Sequence, residues 1–257
     1  MLLRRITKHV KDQNWFAVGL DFVIVVIGVG VALFAQQWMS DRQQLANLVE
    51  AEAALQGDLG RNYFNAKERI AVATCRIESY QALAEQLLAA EDSWTANPRD
   101  PENALRQALP AAFRSPSRGW GSNTWETELA RGSLNRMPDA RRRQLDSVFR
   151  QSEHAQLLQR EIWTLQGQLK PLAAAKIIGQ SDRLHFYSIL GELDEKSALL
   201  EHISGQIIEN IEEVGIDMNE VDQRVVSDAI ADFGVTRGEI YGPCFEPQNW
   251  PALQSPD

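Results

Sequence analysis

One uninterrupted apolar stretch near the N-terminus constrains this chain more than any other feature of its sequence. Residues 16–35 read FAVGLDFVIVVIGVGVALFA, in which Asp21 is the one charged side chain. A helix rises about 1.5 Å per residue, so this stretch would extend about 30 Å, the thickness of a bilayer's hydrocarbon core. Trp15 lies at one end, and Phe34 and Trp38 lie at the other, as in the aromatic belts of membrane proteins. We therefore predict a transmembrane helix over residues 15–38.

Charge predicts the orientation of this helix. Residues 1–14 form a basic tail, whereas the residues just after the apolar stretch include Asp41 and Arg42, whose charges cancel. Cytoplasmic flanks carry the excess of Lys and Arg, so the N-terminus should be cytoplasmic. The rest of the chain would then lie in the periplasm of a bacterial cell, with the helix in the inner membrane. The basic residues of the tail are Arg4, Arg5, Lys8 and Lys11.

A cleaved signal peptide is the alternative interpretation of the same pattern, because it also begins with a basic region. The apolar stretch is longer than a usual signal-peptide core. Cleavage after Ala35 would also put Leu33 where a small residue is required. These two features favour a retained membrane anchor.

Small residues on one side of the predicted helix indicate a helix–helix contact. Gly28 and Ala32 are four residues apart, which lets another helix approach closely. Asp21 lies on the same side, where an ionised carboxylate facing lipid would cost about 2–3 kcal/mol. The partner would be another membrane protein or a second copy of this chain; alternatively, Asp21 reaches water at the cytoplasmic interface. The predicted packing face is Asp21, Val25, Gly28, Ala32 and Ala35.

The remainder of the chain is acidic and helical in character. The net charge is −9 although the tail is basic, so a nucleic acid is an unfavourable partner. Apolar residues from Leu45 to Leu87 recur at mostly helical spacing, with a possible bend at Gly57 or Gly60. We predict an all-α protein: the transmembrane helix, an extracytoplasmic antiparallel helical bundle over residues 39–233, and an irregular tail over residues 234–257.

Local signals predict several helix ends within this bundle. Asn123 and Glu126 have the spacing of a capping box, so a helix should begin near Thr124 and end around Gly132. Pro138 suits the first turn of the next helix, which Pro171 should kink before it continues to residue 178. Further helices are predicted over residues 182–191, 193–214 and 219–233.

Two cysteines, Cys75 and Cys244, are too few for a disulfide-rich scaffold, and their spacing matches no metal motif. In an exported domain they could form one long-range disulfide, which would join the first long helix to the C-terminal tail. Two buried, reduced thiols are the alternative.

Recognisable catalytic motifs are missing from the sequence. It has no phosphate-binding glycine loop, no nucleophile elbow, and only scattered histidines, so we predict no cofactor and no metal. We predict a protein that is not an enzyme, although a catalytic site in a bundle core would need no linear motif.

Two segments resemble an uncharacterised family of bacterial single-pass membrane proteins. Residues 14–38 carry its anchor pattern: an Asp-Phe pair at Asp21 and Phe22, a Gly-Val pair at Gly28 and Val29, and then Gln37 and Trp38. Residues 124–137, TWETELARGSLNRM, resemble a motif of its outer domains through Trp125, Glu126, Leu129, Gly132 and Leu134. The resemblance implies the same topology and helical fold, but no mechanism.

These features favour a membrane-anchored interaction protein, an accessory or scaffolding subunit of a larger inner-membrane assembly. One alternative is a sensor-like extracytoplasmic module, which would pass its signal through partner chains because the cytoplasmic tail is short. Another is a proton-coupled subunit resembling those of stator-type motors, which would use Asp21.

Overall fold

The structure is a computed structural model that describes residues 15–89, 94, 119–173 and 177–215. Helices dominate this part of the chain, which contains no β-strand, so the all-α prediction is confirmed. The predicted tail over residues 1–14, the helix over residues 219–233 and the C-terminal tail lie outside the described residues. The elements are α1 (Trp15–Ala71), α2 (Ala73–Leu88), α3 (Asn123–Arg131), α4 (Asp139–Leu169), a 3-10 helix (Lys170–Ala173) and α5 (Gln180–Val214).

The chain divides into two compact units, Met1–Glu50 and Ala51–Asp257. In the first unit, α1 contains one stretch that is long and apolar enough to cross a membrane, and none of that stretch is buried by the protein. The second unit holds the rest of α1 and all the other elements. Its core lies between helices, whereas the described part of the first unit has no core of its own.

The break in the first long helix lies at Val72, not at the glycines where we predicted a bend. α1 continues unbroken through Gly57 and Gly60, because Leu55 and Leu59 on its other side are fully buried and hold the helix in place. At Val72 the backbone leaves the helical region (φ −110°, ψ 4°), and α2 begins at the next residue. α2 then packs along α5.

α3 begins and ends close to the predicted residues, but its N-cap is different. Gly132 follows its last residue with φ 77°, a left-handed conformation that favours glycine, and its N–H donates to Leu129 O at 3.1 Å. The predicted capping box is wrong, because Ser122 occupies the N-cap and its side chain makes no capping hydrogen bond. Asn123 is instead the first helical residue, and its carbonyl accepts from the Thr127 hydroxyl.

α4 and α5 form a helical hairpin. Pro138 precedes α4 directly, and the helix ends at Leu169, where Pro171 cannot supply the N–H that another helical turn needs. The predicted continuation to Ile178 is wrong, since Ile178 is buried but not helical. The two helices predicted over residues 182–214 are one helix that runs through Gly191, because Leu190 and Leu193 beside it are buried.

Polar contacts fix the direction of this hairpin. At one end, Arg141 of α4 donates to the carbonyl of Val214, the last residue of α5. Towards the other end, Lys196 of α5 donates to Glu161 of α4 at 2.8 Å. The two helices therefore run in opposite directions. Fully buried side chains fill the space between the helices of the second unit, each worth about 1.5–3 kcal/mol of transfer free energy; the largest include Leu134, Leu145, Phe149, Ile162, Leu169, Leu193, Leu200, Ile207 and Ile211.

Candidate functional site

The predicted packing face of the apolar helix is open. All five of its residues are exposed, and a Cβ added to Gly28 would meet nothing within 4 Å. At its end, the Phe34 and Trp38 side chains are 75% and 51% exposed, and Trp15 is the first residue of α1. No part of the described chain covers this face, so it is available to lipid or to a partner. Its members are Asp21, Val25, Gly28, Ala32 and Ala35.

An amphipathic segment, residues 36–50, follows the apolar stretch on the same helix. At 100° per residue its polar side chains fall on one side of α1, where Gln43 donates to Asn47 and Gln44 donates to Ser40. Its other side carries apolar residues, of which Met39 and Val49 are 67% and 68% exposed. We did not predict this surface from the sequence. The helical spacing of Leu45 suggested a buried core position, whereas its side chain is 54% exposed.

One cation–π contact and two opposite charges interrupt this apolar side. The Arg42 guanidinium lies 4.0 Å from the centre of the Trp38 ring. Such contacts contribute about 0.5–1 kcal/mol at exposed sites. Asp41 precedes Arg42 directly, so the two charges of the apolar side are adjacent and of opposite sign.

A second candidate site lies in the second unit, where buried amides hold residues 119–121, a segment without regular secondary structure. Asn62 of α1 donates to Gly121 O at 2.8 Å, and Gly121 N donates back to Asn62 Oδ1 at 2.7 Å. The second N–H of the Asn62 amide donates to Ser152 Oγ on α4 at 2.9 Å. Every donor of this fully buried amide therefore has a partner, which burial requires.

The same segment is held from α4 through Trp120. Its backbone N–H donates to Gln156 Oε1, and its indole N–H donates to Gln159 Oε1, both at 3.0 Å. On the other side Asn65 donates to Gly119 O at 3.1 Å. We call this arrangement the amide clamp: Asn62, Asn65, Ser152, Gln156 and Gln159 around residues 119–121.

Glycine is required at position 121 of the clamp. A Cβ there would lie 2.7 Å from the Asp58 carboxyl carbon, closer than side chains tolerate. Asp58 is buried, and its carboxylate lies 3.5 Å from the Arg61 guanidinium, so a shift away from the added Cβ would disturb this ion pair. No signal in the sequence points to this contact, because Gly121 and Asp58 lie on separate elements.

An open cleft of about 740 Å³ lies beside the clamp. Arg61 and Arg160 contribute positive charge to its lining, and Glu126 and Glu153 contribute carboxyl groups. A hydrogen bond with Glu126 and partial burial raise the pKa of the Glu153 carboxyl, because two close carboxylates disfavour a second negative charge. The cleft could therefore take a small polar molecule that carries both signs of charge.

Trp94, Trp120 and Trp125 do not line a common binding site in the described structure. Trp125 is buried and stacks on Phe149, with ring centroids 5.3 Å apart and an interplanar angle of 14°. Trp94 is half-buried, and its indole donates to Leu172 O at 2.8 Å. With Trp120 in the clamp, each indole serves a separate packing role.

A buried cation ties α2 to α5. The Arg76 side chain is 5% exposed and donates to Asp194 at 2.9 Å and to Glu201 at 2.8 Å. Its guanidinium also lies 5.4 Å from the centre of the Tyr80 ring. Burial raises the pKa of the Tyr80 phenol. These contacts stabilise the packing of α2 against α5.

Cys75 lies half-buried on α2 and is disulfide-bonded. Its predicted partner, Cys244, lies outside the described residues, so the pairing of Cys75 with Cys244 stays a prediction. Among the described residues, no group of three or more His, Cys, Asp or Glu side chains could hold a metal ion.

No protein-family model, curated protein or solved structure matches the chain. The resemblance to the family of bacterial single-pass membrane proteins therefore stays a prediction from residues 14–38 and 124–137.

Proposed function

We propose that this chain is a membrane-anchored interaction protein, an accessory or scaffolding subunit of a larger inner-membrane assembly. In this proposal α1 crosses the inner membrane, residues 1–14 are cytoplasmic, and the following helices pack as an antiparallel bundle in the periplasm. The positive-inside rule supports the orientation.

The observation that carries the proposal is the exposure of α1 from residue 19 to residue 50. A bilayer can cover the first part of this length, but the apolar residues of the amphipathic segment continue beyond the apolar stretch. Apolar residues exposed on one side of a helix indicate an interaction surface. The described residues of the second unit, by contrast, bury most of their large apolar side chains in a core, although some, such as Ile177 and Leu184, are exposed.

Affinity purification from native membranes in mild detergent tests this proposal, with mass spectrometry of the proteins that remain bound. We expect stoichiometric recovery of a membrane complex or of a second copy of this chain. Recovery of a monomer with no partner, under conditions that preserve other inner-membrane complexes, would overturn the proposal.

Two glycines offer a matched pair of variants for the same experiment. Gly28 lies on the predicted packing face, whereas Gly30 lies about 200° around the helix, and a Cβ added at either position would meet nothing within 4 Å. Gly28→Leu should therefore reduce the amount of bound partner at least threefold, while Gly30→Leu should leave it unchanged. Equal recovery with both variants would exclude this face from the interaction.

The cleft beside the amide clamp favours a second candidate function, the sensor-like module. A small polar ligand bound between residues 119–126 and α4 would contact three elements at once, so binding could shift them relative to each other. Thermal unfolding of the full chain in detergent, with amino acids, dicarboxylates and polyamines added in turn, tests this function. A rise in Tm that Arg160→Ala abolishes would support it.

A further inference from the structure

The exposed apolar side of the amphipathic segment of α1 lies beyond the part of the helix that the bilayer can bury. Within the first unit, α1 runs unbroken from the apolar stretch through residue 50, so residues 36–50 continue along the axis of the proposed span. A segment that leaves the bilayer along this axis cannot also lie flat in the lipid interface. Its exposed apolar side must therefore meet protein.

The spacing of this apolar side indicates what kind of protein surface fits it. Along one side of α1, positions from Ile24 to Val49 that step alternately by four and three residues, an average repeat of 3.5, are all exposed. Helices with this repeat wind around each other as left-handed coiled coils when it continues for three to four heptads, and this one continues for almost four. We call these residues the pairing face: Ile24, Gly28, Val31, Ala35, Trp38, Arg42, Leu45 and Val49.

We propose that a second copy of this chain covers the pairing face, and that the two α1 helices form a parallel, in-register pair over residues 24–49. This inference rests on the proposed membrane anchoring, because two copies inserted in one orientation can pair only in parallel. The pair begins at residue 24 and leaves out Asp21, because the two Asp21 carboxylates of an in-register pair would repel each other.

Charge complementarity favours a second copy over an unrelated protein. In a parallel pair, a residue at the position of Arg42 inserts between four residues of the facing helix. Here those four are Trp38, Asp41, Arg42 and Leu45, so each Arg42 meets a carboxylate and an indole ring of the other copy. These two groups offset the repulsion between the two Arg42 side chains.

The match is also two-fold symmetric, as an interface between identical chains requires. Arg42 of one copy meets Asp41 of the other, and the same contact recurs with the copies exchanged. Within one copy, Arg42 already lies on Trp38, so pairing extends an existing contact. In the membrane half, Gly28 and Ala35 let the two backbones approach closely.

Photo-cross-linking in native membranes tests the pairing face in the full chain, with both cysteines retained. A photoreactive phenylalanine analogue at Leu45 should give an adduct of twice the monomer mass. The same analogue at Asn47, on the polar side of the helix, should give at least fivefold less. An adduct from Leu45 to a different protein, without the dimer, would overturn the second-copy inference while leaving the interaction function in place.

A charge exchange then tests the contact between Arg42 and Asp41 in purified protein. Asp41→Arg alone and Arg42→Asp alone each place like charges together, so each should lower the dimer fraction at least threefold in sedimentation equilibrium. The double variant, Asp41→Arg with Arg42→Asp, should restore it. Dimers that withstand both single changes, or a double variant that stays monomeric, would overturn the inference. Loss of every adduct and of every co-purified protein would instead contradict the proposed function.

Discussion

Residues 19–50 and the described residues of 51–215 are both mainly helical, yet they place most of their large apolar side chains in opposite environments. In the first region Phe34 and Val49 are exposed, whereas in the second Leu55 and Phe149 are almost completely buried. Helical spacing of apolar residues occurs in both regions and so marks a face without saying what covers it. A face covered within the chain contributes to folding stability, and a face left open can contribute to assembly.

The largest difference between the two regions should appear when a phenylalanine is truncated in each. Phe149→Ala removes a ring that is 1% exposed and stacked on Trp125, so we expect a loss of about 3–5 kcal/mol in unfolding free energy. Phe34→Ala, at an exposed position, should change it by less than about 0.5 kcal/mol. Urea unfolding of the full chain in detergent measures both, and equal losses would contradict the comparison.

The predicted disulfide should act on the second region alone. Cys75→Ser releases the tie between α2 and the C-terminal tail, and a long-range disulfide contributes typically about 2–4 kcal/mol. We expect a loss of that size on urea unfolding, together with an altered gel mobility of the wild-type chain on reduction. Unchanged mobility on reduction would show that Cys75 and Cys244 are not bonded.

Replacing one asparagine in each region compares how much a buried and an exposed hydrogen bond contribute to the free energy of unfolding. Asn62→Ala leaves both backbone groups of Gly121 without their buried partners, which should cost about 1–3 kcal/mol. Asn47→Ala removes an exposed contact with Gln43 and should cost less than about 0.5 kcal/mol. Denaturant titrations of the two variants decide the point, and a similar cost for both would mean that the amide clamp adds little stability.

The smallest effect that we predict is a change in the free energy of unfolding that appears only at alkaline pH. Burial, followed by the hydrogen bond to Glu212, raises the pKa of the Tyr63 phenol above its ordinary value of 10.0. The stability linked to this group is fully present below pH 10 and is lost as the pH rises further, because the unfolded chain then releases the proton first. In unfolding titrations from pH 9 to 11, Tyr63→Phe should reduce the loss of unfolding free energy as the pH rises. An identical pH profile in both proteins would show that Tyr63 does not cause this loss.

Helix ends can be predicted from the sequence where the residues of one turn determine them. They are predicted less well where contacts between distant residues determine them. Gly132 was predicted as a helix end and is one, because a left-handed residue there follows from local chemistry. The break at Val72 was not predicted, since glycine content pointed to Gly57 and Gly60 instead. The disturbance of the helix at Pro171 was predicted, but the continuation to Ile178 was not found, because the helix ends at Leu169 and Ile178 is buried outside it.

The candidate sites show the same limit. The predicted packing face could be read from steps of three and four residues, because it lies on one helix. The amide clamp could not, because Asn62 meets Gly121 and Ser152 only after α1, residues 119–121 and α4 have come together. Leu45 illustrates the remaining ambiguity: its spacing fits a core position and a pairing position equally well.

The contacts of α1 with α5 impose an order on events during synthesis. Tyr63 donates to Glu212, a residue 149 positions later in the chain, whereas the hairpin of α4 and α5 closes over shorter separations, such as the 35 residues between Glu161 and Lys196. At about 5–20 residues per second, the ribosome needs roughly 7–30 s to add those 149 residues. During this interval Tyr63 of α1 lacks its partner on α5. The second unit can therefore complete its fold only after α5 has been made, long after α1 has left the ribosome.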